Sequence, residues 1–153
     1  MNKLYILLLY VLFNCNKTNS STSQLIINRE VELINLSNKK KESINNLIKK
    51  QIFYFNFTDD CNVCYEQQLN IINDLERKKI VIITTIDKIK NAQLYFESQK
   101  MRNQIYIVKN NSSLFNHINI NTPFFFYLKS DLSIIDYFVP NKEKPLKTKK
   151  YLK

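Results

Sequence analysis

The 153-residue chain has no glycine, no tryptophan, one histidine and three cysteines. Without glycine it has no bare-backbone loop to close around a phosphate, which excludes the dinucleotide and P-loop fingerprints and the chemistry they support. Turns must come from other residues. Asn and Asp are expected to supply them, because they tolerate left-handed backbone and hydrogen-bond to their own chain. The scarcity of ligands has a second consequence. Cys15, Cys61, Cys64 and His117 are too scattered for a four-ligand zinc site, so no metal is expected, and no other cofactor. His117, the one side chain titrating near neutrality, falls in a polar stretch and reads as a surface residue. Long apolar runs are also missing. The longest, Leu4 to Phe13, is about half of the roughly 20 residues that a helix needs to span a bilayer.

What remains is the composition of one folded domain. Apolar residues make up 44% and charged residues 24%, enough of the first for a core and too little of the second for a disordered chain. The formal charge of +10 is concentrated at Lys39, Lys40 and Lys41 and in a tail with Lys142, Lys144, Lys147, Lys149, Lys150 and Lys153. No aromatic residues are interleaved with these lysines as a single-strand binder requires, so they read as solvated faces and ends, and no nucleic-acid partner is expected.

The front of the chain reads as an address. Lys3 supplies a positive charge, Leu4 to Phe13 an apolar run, and residues 1–14 together a secretory signal. Leu12, Phe13, Asn14 and Cys15 resemble a bacterial lipobox, which implies that Cys15 is lipidated and becomes the mature N-terminus. Asn16 to Ser23 is then a polar, flexible tether holding residues 24–153 away from a membrane. An ordinary cleaved signal, with Cys15 incidental, is the alternative.

Within the mature chain, Gln24 to Ile27 suggests a short edge strand. Ile44, Leu47 and Ile48 fall at helical spacing within Glu42 to Lys50. Ile52 to Phe57, Cys61 to Lys78 and Ile80 to Ile86 read as strand, helix and strand, a βαβ unit with parallel strands. The helix is expected to bury Tyr65, Leu69 and Ile72, with Gln67, Gln68, Asn70 and Asn73 on its wetter side. A further helix from Ile89 to about Met101 and a strand from Gln104 to Val108 follow, then a loop over Asn110 to Asn121. Phe124 to Leu128 and Ser133 to Phe138 close the pattern as an antiparallel hairpin. This order predicts an α/β fold, a mixed sheet with helices on both faces.

Cys61 and Cys64 fall where the first clear strand gives way to its helix. Unpaired N–H groups and partial positive charge at a helix N-terminus stabilise a thiolate, making Cys61 the candidate nucleophile. Cys64, three residues on, is within disulfide reach and can resolve a mixed disulfide. A structural disulfide is the competing reading, although so short a loop constrains the unfolded chain little. Asp59 and Asp60 can cap the helix, while the Asp60 charge opposes a thiolate at Cys61. The second feature is Thr122-Pro123, directly before the apolar strand.

Strand, CxxC helix, strand, helix, strand and then Thr-Pro leading into a hairpin resembles the thioredoxin-like superfamily over about Ile52 to Phe138, especially its membrane-anchored, peroxiredoxin-related redoxin branch. The resemblance implies a thioredoxin-like mixed sheet flanked by helices. It implies a cis bond at Pro123 beside the cysteines, with the Thr122 backbone offered to an extended substrate. It also implies a thiol–disulfide oxidoreductase whose partners are protein thiols and disulfides and a separate electron-exchanging protein. The matching location is the bacterial cell envelope, lipid-anchored on the periplasmic side. A non-catalytic lipoprotein module that binds through a surface of the same fold is the alternative. The chain departs from the family in having Thr58-Asp59-Asp60 rather than Trp ahead of Cys61, and no acidic residue within Ile52 to Phe57. The peroxidatic threonine-cysteine pattern is missing too, which makes peroxidase activity the weaker enzyme reading. If Cys15 carries lipid, Cys15→Ala abolishes labelling by a fatty-acid analogue and blocks signal release at that site; equal labelling of both chains would sink the lipoprotein reading.

Overall fold

The structure is a computed structural model that describes residues 26–55, 62–75, 80–108, 114–115, 122–141 and 143–152. The expected signal, Cys15 and the tether lie outside the described residues. Among the described residues seven strands form one sheet: β1 (Glu32–Asn35), β2 (Lys41–Ser43), β3 (Gln51–Phe55), β4 (Ile80–Thr84), β5 (Gln104–Ile107), β6 (Phe124–Leu128) and β7 (Ile134–Phe138). Three named α-helices among these residues accompany it, α1 (Asn62–Asp74), α2 (Ile89–Ser98) and α3 (Pro145–Tyr151), with a 3-10 turn at Ile44–Leu47. The spatial order is β2-β1-β5-β4-β3-β6-β7. β3, β4 and β5 run parallel, joined through α1 and α2, while β6 lies antiparallel to β3 with Tyr54 opposite Phe124 and Gln51 opposite Tyr127.

Burial on both faces explains the near-continuous apolar strands at the centre. All five residues of β4, Ile80 to Thr84, are buried. Alternation divides the sheet between two cores. Phe53, Ile82, Ile105 and Phe125 face one side, where Tyr65, Leu69 and Ile72 of α1, Ala92 and Phe96 of α2, and Tyr151 of α3 cover them. Ile52, Tyr54, Val81, Ile83 and Phe126 face the other, beneath Ile27, Val31, Ile44, Leu47, Leu114 and Phe115. These three α-helices share one face, and on the opposite face lie the 3-10 turn, Ile27, Val31, Leu114 and Phe115. Right-handed crossovers that step in one direction, β3 to β4 to β5, put both of their helices on the same side.

The absence of glycine is met by a division of labour. Asn28, Asn35, Asn38, Asp131 and Asn141 each accept, on the side-chain oxygen, the backbone N–H two residues on, building the expected local turns. Left-handed backbone falls mostly elsewhere, on Lys39, Lys49, Lys100, Leu132 and Asp136. Only one of these is an Asn or Asp, which corrects that half of the expectation. Lysine takes the strained positions where it is abundant and its stem can lie in solvent.

Two elements were not anticipated. β1 and β2 make a hairpin where Glu42 to Lys50 had suggested a helix, and only Ile44–Leu47 is helical there. The hairpin is fastened to β5 across β1: Asn35 Nδ2 and the Tyr106 hydroxyl donate to the Glu42 carboxylate at 2.9 and 3.0 Å. These hydrogen bonds, led by that from Asn35, hold the carboxyl below its ordinary range. The lysine-rich tail, expected to be a solvated end, instead forms α3, with Pro145 in its first turn and Tyr151 stacked on Phe138 at 4.8 Å. A bulge makes that stack possible. Phe125 pairs with Phe138 but Tyr127 pairs with Ile135, leaving an extra residue on β7 around Asp136, whose φ is 48°. Regular alternation would put Ile134 and Phe138 on one face, whereas they pack against opposite cores. The Tyr151 hydroxyl donates to the Asp136 carbonyl and fixes the kink.

At the end of α2 the Lys100 N–H donates to the Glu97 carbonyl and the Met101 N–H to the Phe96 carbonyl, a Schellman cap with lysine in the position glycine favours. Lys100→Gly is expected to stabilise the fold by about 1 kcal/mol, the strain of one left-handed non-glycine residue. Chemical denaturation checks this, and a lower midpoint for the variant would contradict the cap.

Candidate functional site

The candidate site is where the chain passes from β3 to α1. β3 is held on both sides, with Phe55 opposite Thr84 of β4 and Tyr54 opposite Phe124 of β6, so the chain leaves the sheet at a fixed place. Residues 56–61 lie outside the described residues, and Asn62 opens α1 with Cys64 in its first turn. Cys61 immediately precedes the helix but is itself outside the described residues, as are Asp59, Asp60 and His117. The helix runs for 13 residues, so its first-turn N–H groups and their partial positive charge sit beside the cysteine positions.

Packing on both faces holds this corner. On the helix side Phe53 and Phe125 stack at 4.5 Å beneath α1, and Leu69 and Ile72 are fully enclosed. Such an aromatic pair contributes about 0.5–1.5 kcal/mol beyond its buried area. On the other side Tyr54 meets Phe115 edge-on at 5.0 Å and Phe124 at 5.6 Å. Burial raises the Tyr54 hydroxyl above its ordinary range, with a lesser contribution from Tyr65, so it stays protonated at any physiological pH. Burial likewise pushes Tyr95 of α2 up to about 12, and Glu66 of α1 adds to the shift. Asn73 fastens the far end of α1 to the end of α2, its Nδ2 donating to the Gln99 carbonyl at 2.8 Å. Lys149 of α3 approaches Asp74 on the opposite flank, at 3.9 Å.

Thr122 is exposed and Pro123 half-buried, directly ahead of β6. Because Phe124 lies opposite Tyr54, the antiparallel register puts Pro123 level with the end of β3, at the sheet end from which α1 starts. The topology therefore brings Thr122-Pro123 and the start of α1 to one end of the sheet. The isomer differs from expectation. No peptide bond among the described residues is cis, so the Thr122–Pro123 bond is trans. Trans is the favoured X–Pro state by about 0.5–1 kcal/mol, and a half-buried ring lacks the enclosing packing that enforces the rarer form.

A second correction concerns α1. Gln68, placed by periodicity on the wetter side, is only 2% exposed. It stands three residues after Tyr65 and four before Ile72, both buried, and so shares their face. Elsewhere, Leu36, Phe96, Met101, Arg102 and Ile105 line an open groove of about 370 Å³ at the start of β5. That is the opposite end of the sheet from the cysteine corner. Among the described residues no cluster of His, Cys, Asp and Glu is arranged to hold a metal ion, and no helix is long and apolar enough to cross a membrane.

No family model and no curated protein matches the sequence. Solved structures do match. A thiol:disulfide interchange protein from Bacteroides sp. superposes with a TM-score of 0.57 at 12% identity, covering 83% of this chain and 88% of the other. The thioredoxin domain of a thiol-disulfide oxidoreductase from Bacteroides vulgatus gives 0.54 at 13%, covering 80% and 93%. A thioredoxin-family thiol:disulfide interchange protein from Chlorobium tepidum TLS gives 0.52 at 12%, covering 84% and 94%. The chain has a thioredoxin-like fold, and its structural neighbours are thioredoxin-fold thiol–disulfide oxidoreductases and redoxins.

Proposed function

We propose that this protein is an exported thiol–disulfide oxidoreductase. It exchanges electrons with protein thiols and disulfides through Cys61 and Cys64, and Cys15 tethers it by lipid to the periplasmic side of a bacterial envelope membrane. The observation that carries the redox reading is the position of the pair in sequence. Cys61 and Cys64 bracket the start of α1, the helix that follows β3 in the chain, in a fold whose solved neighbours include thiol–disulfide oxidoreductases. The tether rests on the order of charge, apolar run, cysteine and polar stretch at the front of the chain.

In the reducing direction the Cys61 thiolate attacks one sulfur of a substrate disulfide. The substrate S–S bond breaks, a mixed disulfide with Cys61 forms, and the other substrate sulfur leaves as a thiolate that takes up a proton. Cys64, deprotonated in turn, attacks the Cys61 sulfur and releases the second substrate thiolate. Two electrons pass to the substrate, and the pair ends as a disulfide. The reverse sequence oxidises a substrate dithiol. The relative stability of the pair's two forms and a separate electron-exchanging partner set the direction in the cell. The Thr122 backbone, exposed at the same sheet end, is the group offered to an extended substrate segment.

Attack by Cys61 and resolution by Cys64 predict unequal trapping. Cys64→Ser is expected to accumulate mixed disulfides with a cysteine-bearing exported protein, resolved by reducing against non-reducing electrophoresis, while Cys61→Ser does not. Equal trapping by the two variants would reject these roles. No trapping, with a wild-type pair that never oxidises, would favour a binding module that keeps the fold without the chemistry.

A further inference from the structure

Among the described residues six large apolar side chains are exposed, and five of them gather along one rim of the molecule. β7 is the last strand of the sheet on its side. Ile135 and Tyr137 lie within β7, and Val139 follows it directly. Ile26 bridges Ser133, the residue before β7, and Leu146 belongs to α3, whose Tyr151 stacks on Phe138 of β7. Tyr137 and Leu146 are the most open of the five, at 61% and 78% exposed. Phe138 turns to the helix side of the sheet, which turns its neighbours Tyr137 and Val139 to the other side, while α3 flanks β7 from the helix side. The apolar surface therefore wraps the rim of the sheet rather than covering either face. A single exposed apolar residue needs no explanation, whereas five along one rim mark an interaction surface. The sixth, Leu94, stands apart on α2.

The same rim is cationic. Lys129, Lys144, Lys147, Lys149 and Lys150 are exposed on it, against Asp131, Asp136 and Glu143. Leu146 and Lys150, four residues apart, share the side of α3 turned away from the buried Thr148, with Lys147 beside them. Lysine stems lie along apolar surface while their ammonium groups reach outward. Apolar side chains set among lysines match an anionic bilayer, whose headgroups pair with the ammonium groups while the shallow acyl layer takes up the apolar tips. A second copy fits poorly, because a two-fold contact would set the lysine-rich rim against itself. We propose that the rim formed by β7 and α3 is a docking surface for an anionic lipid bilayer. Ile26, the first described residue, pairs here, so the segment that contains Cys15 joins the fold at this rim. The surface goes beyond the proposed lipid tether and does not require it. Docked along β7, the sheet stands on its edge, and the end where α1 starts opens along the bilayer rather than onto it.

The chain has no tryptophan, so a single one introduced at an exposed position reports its own surroundings. Tyr137→Trp and Leu146→Trp put the reporter on the rim and Leu94→Trp puts it elsewhere, each in the full chain carrying Cys15→Ala so that no lipid contributes. Each variant is mixed with phosphatidylglycerol or phosphatidylcholine vesicles, with and without brominated acyl chains. With phosphatidylglycerol alone, the emission of both rim reporters is expected to shift to the blue and to be quenched by the brominated chains, while the Leu94→Trp reporter is unmoved. Lys147→Gln combined with Lys150→Gln is expected to weaken binding to these vesicles by about tenfold, and added salt to weaken it further. No quenching, equal quenching of all three reporters, or equal quenching by the two lipids would overturn the proposal. A rim reporter already shifted to the blue without vesicles would overturn it as well, in favour of a second copy if the shift grows with protein concentration and of the chain's own residues covering the rim if it does not. A shift with soluble polyglutamate equal to that with vesicles would overturn it in favour of an acidic protein partner. None of these outcomes depends on exchange by Cys61 and Cys64 or on lipid at Cys15.

Discussion

The pairing of β3 on both sides governs the rest of the molecule. Its parallel ladder to β4 obliges the chain to cross over the sheet through α1, and its antiparallel ladder to β6 brings residues 122 and 123 back to the end of the strand where that crossover begins. Ile52, Phe53 and Tyr54 are buried on alternate faces, so a slip of one residue would turn Phe53 away from Phe125 and drive each aromatic ring into the opposite core. The register is thereby fixed, and with it the distance the chain has in which to turn between strand and helix. A helix whose first turn must be reproducibly placed is what a thiol on that turn requires.

The periphery completes this centre by less regular means. β6 and β7 would present an alternating ladder, but the bulge at Asp136 rotates Phe138 onto the helix face, where Tyr151 meets it. α3 then closes the flank of α1 that α2 does not reach, and Lys149 meets Asp74 at its rim. That ion pair is exposed and contributes little; the stacked rings and the enclosed Thr148 are what dock a seven-residue helix too short to be stable by itself. At the other edge, the Glu42 carboxylate joins β2 to β5 through Asn35 and Tyr106 where β2 has only three residues with which to pair.

Much of this was legible in the residues. The βαβ unit from Ile52 to Ile86, the strand at Gln104 and the hairpin from Phe124 are carried by dense runs of β-branched and aromatic residues against a clear helical period, and tertiary structure had nothing to override. The β1–β2 hairpin was not legible, because Leu33, Ile34 and Leu36 alternate over too few residues and the turn uses Lys39 at φ 60° in place of glycine. α3 was masked by its lysines, which lie on its outer side while Thr148 and Tyr151 do the packing. Gln68 was misplaced for the converse reason: a polar residue inside an apolar stripe reads as its boundary, and only the packing of α3 against α1 shows that the stripe continues beneath it. The Pro123 isomer is set by how tightly its surroundings enclose it, which spacing along the chain does not encode.

An exchange site differs from a structural staple in how readily it gives up its bond. A stabilised thiolate favours the reduced pair, whereas a staple lacks it and resists reduction. The reduction potential of the wild-type pair is therefore the measurement closest to the central claim. Poised against glutathione and dithiothreitol buffers, with the bond mapped by mass spectrometry, Cys61 and Cys64 are expected to show a single two-electron transition between about −270 and −120 mV, the span of exchange-active sites. A potential below about −300 mV, where structural disulfides lie, or a pair that never joins at all, would contradict the account.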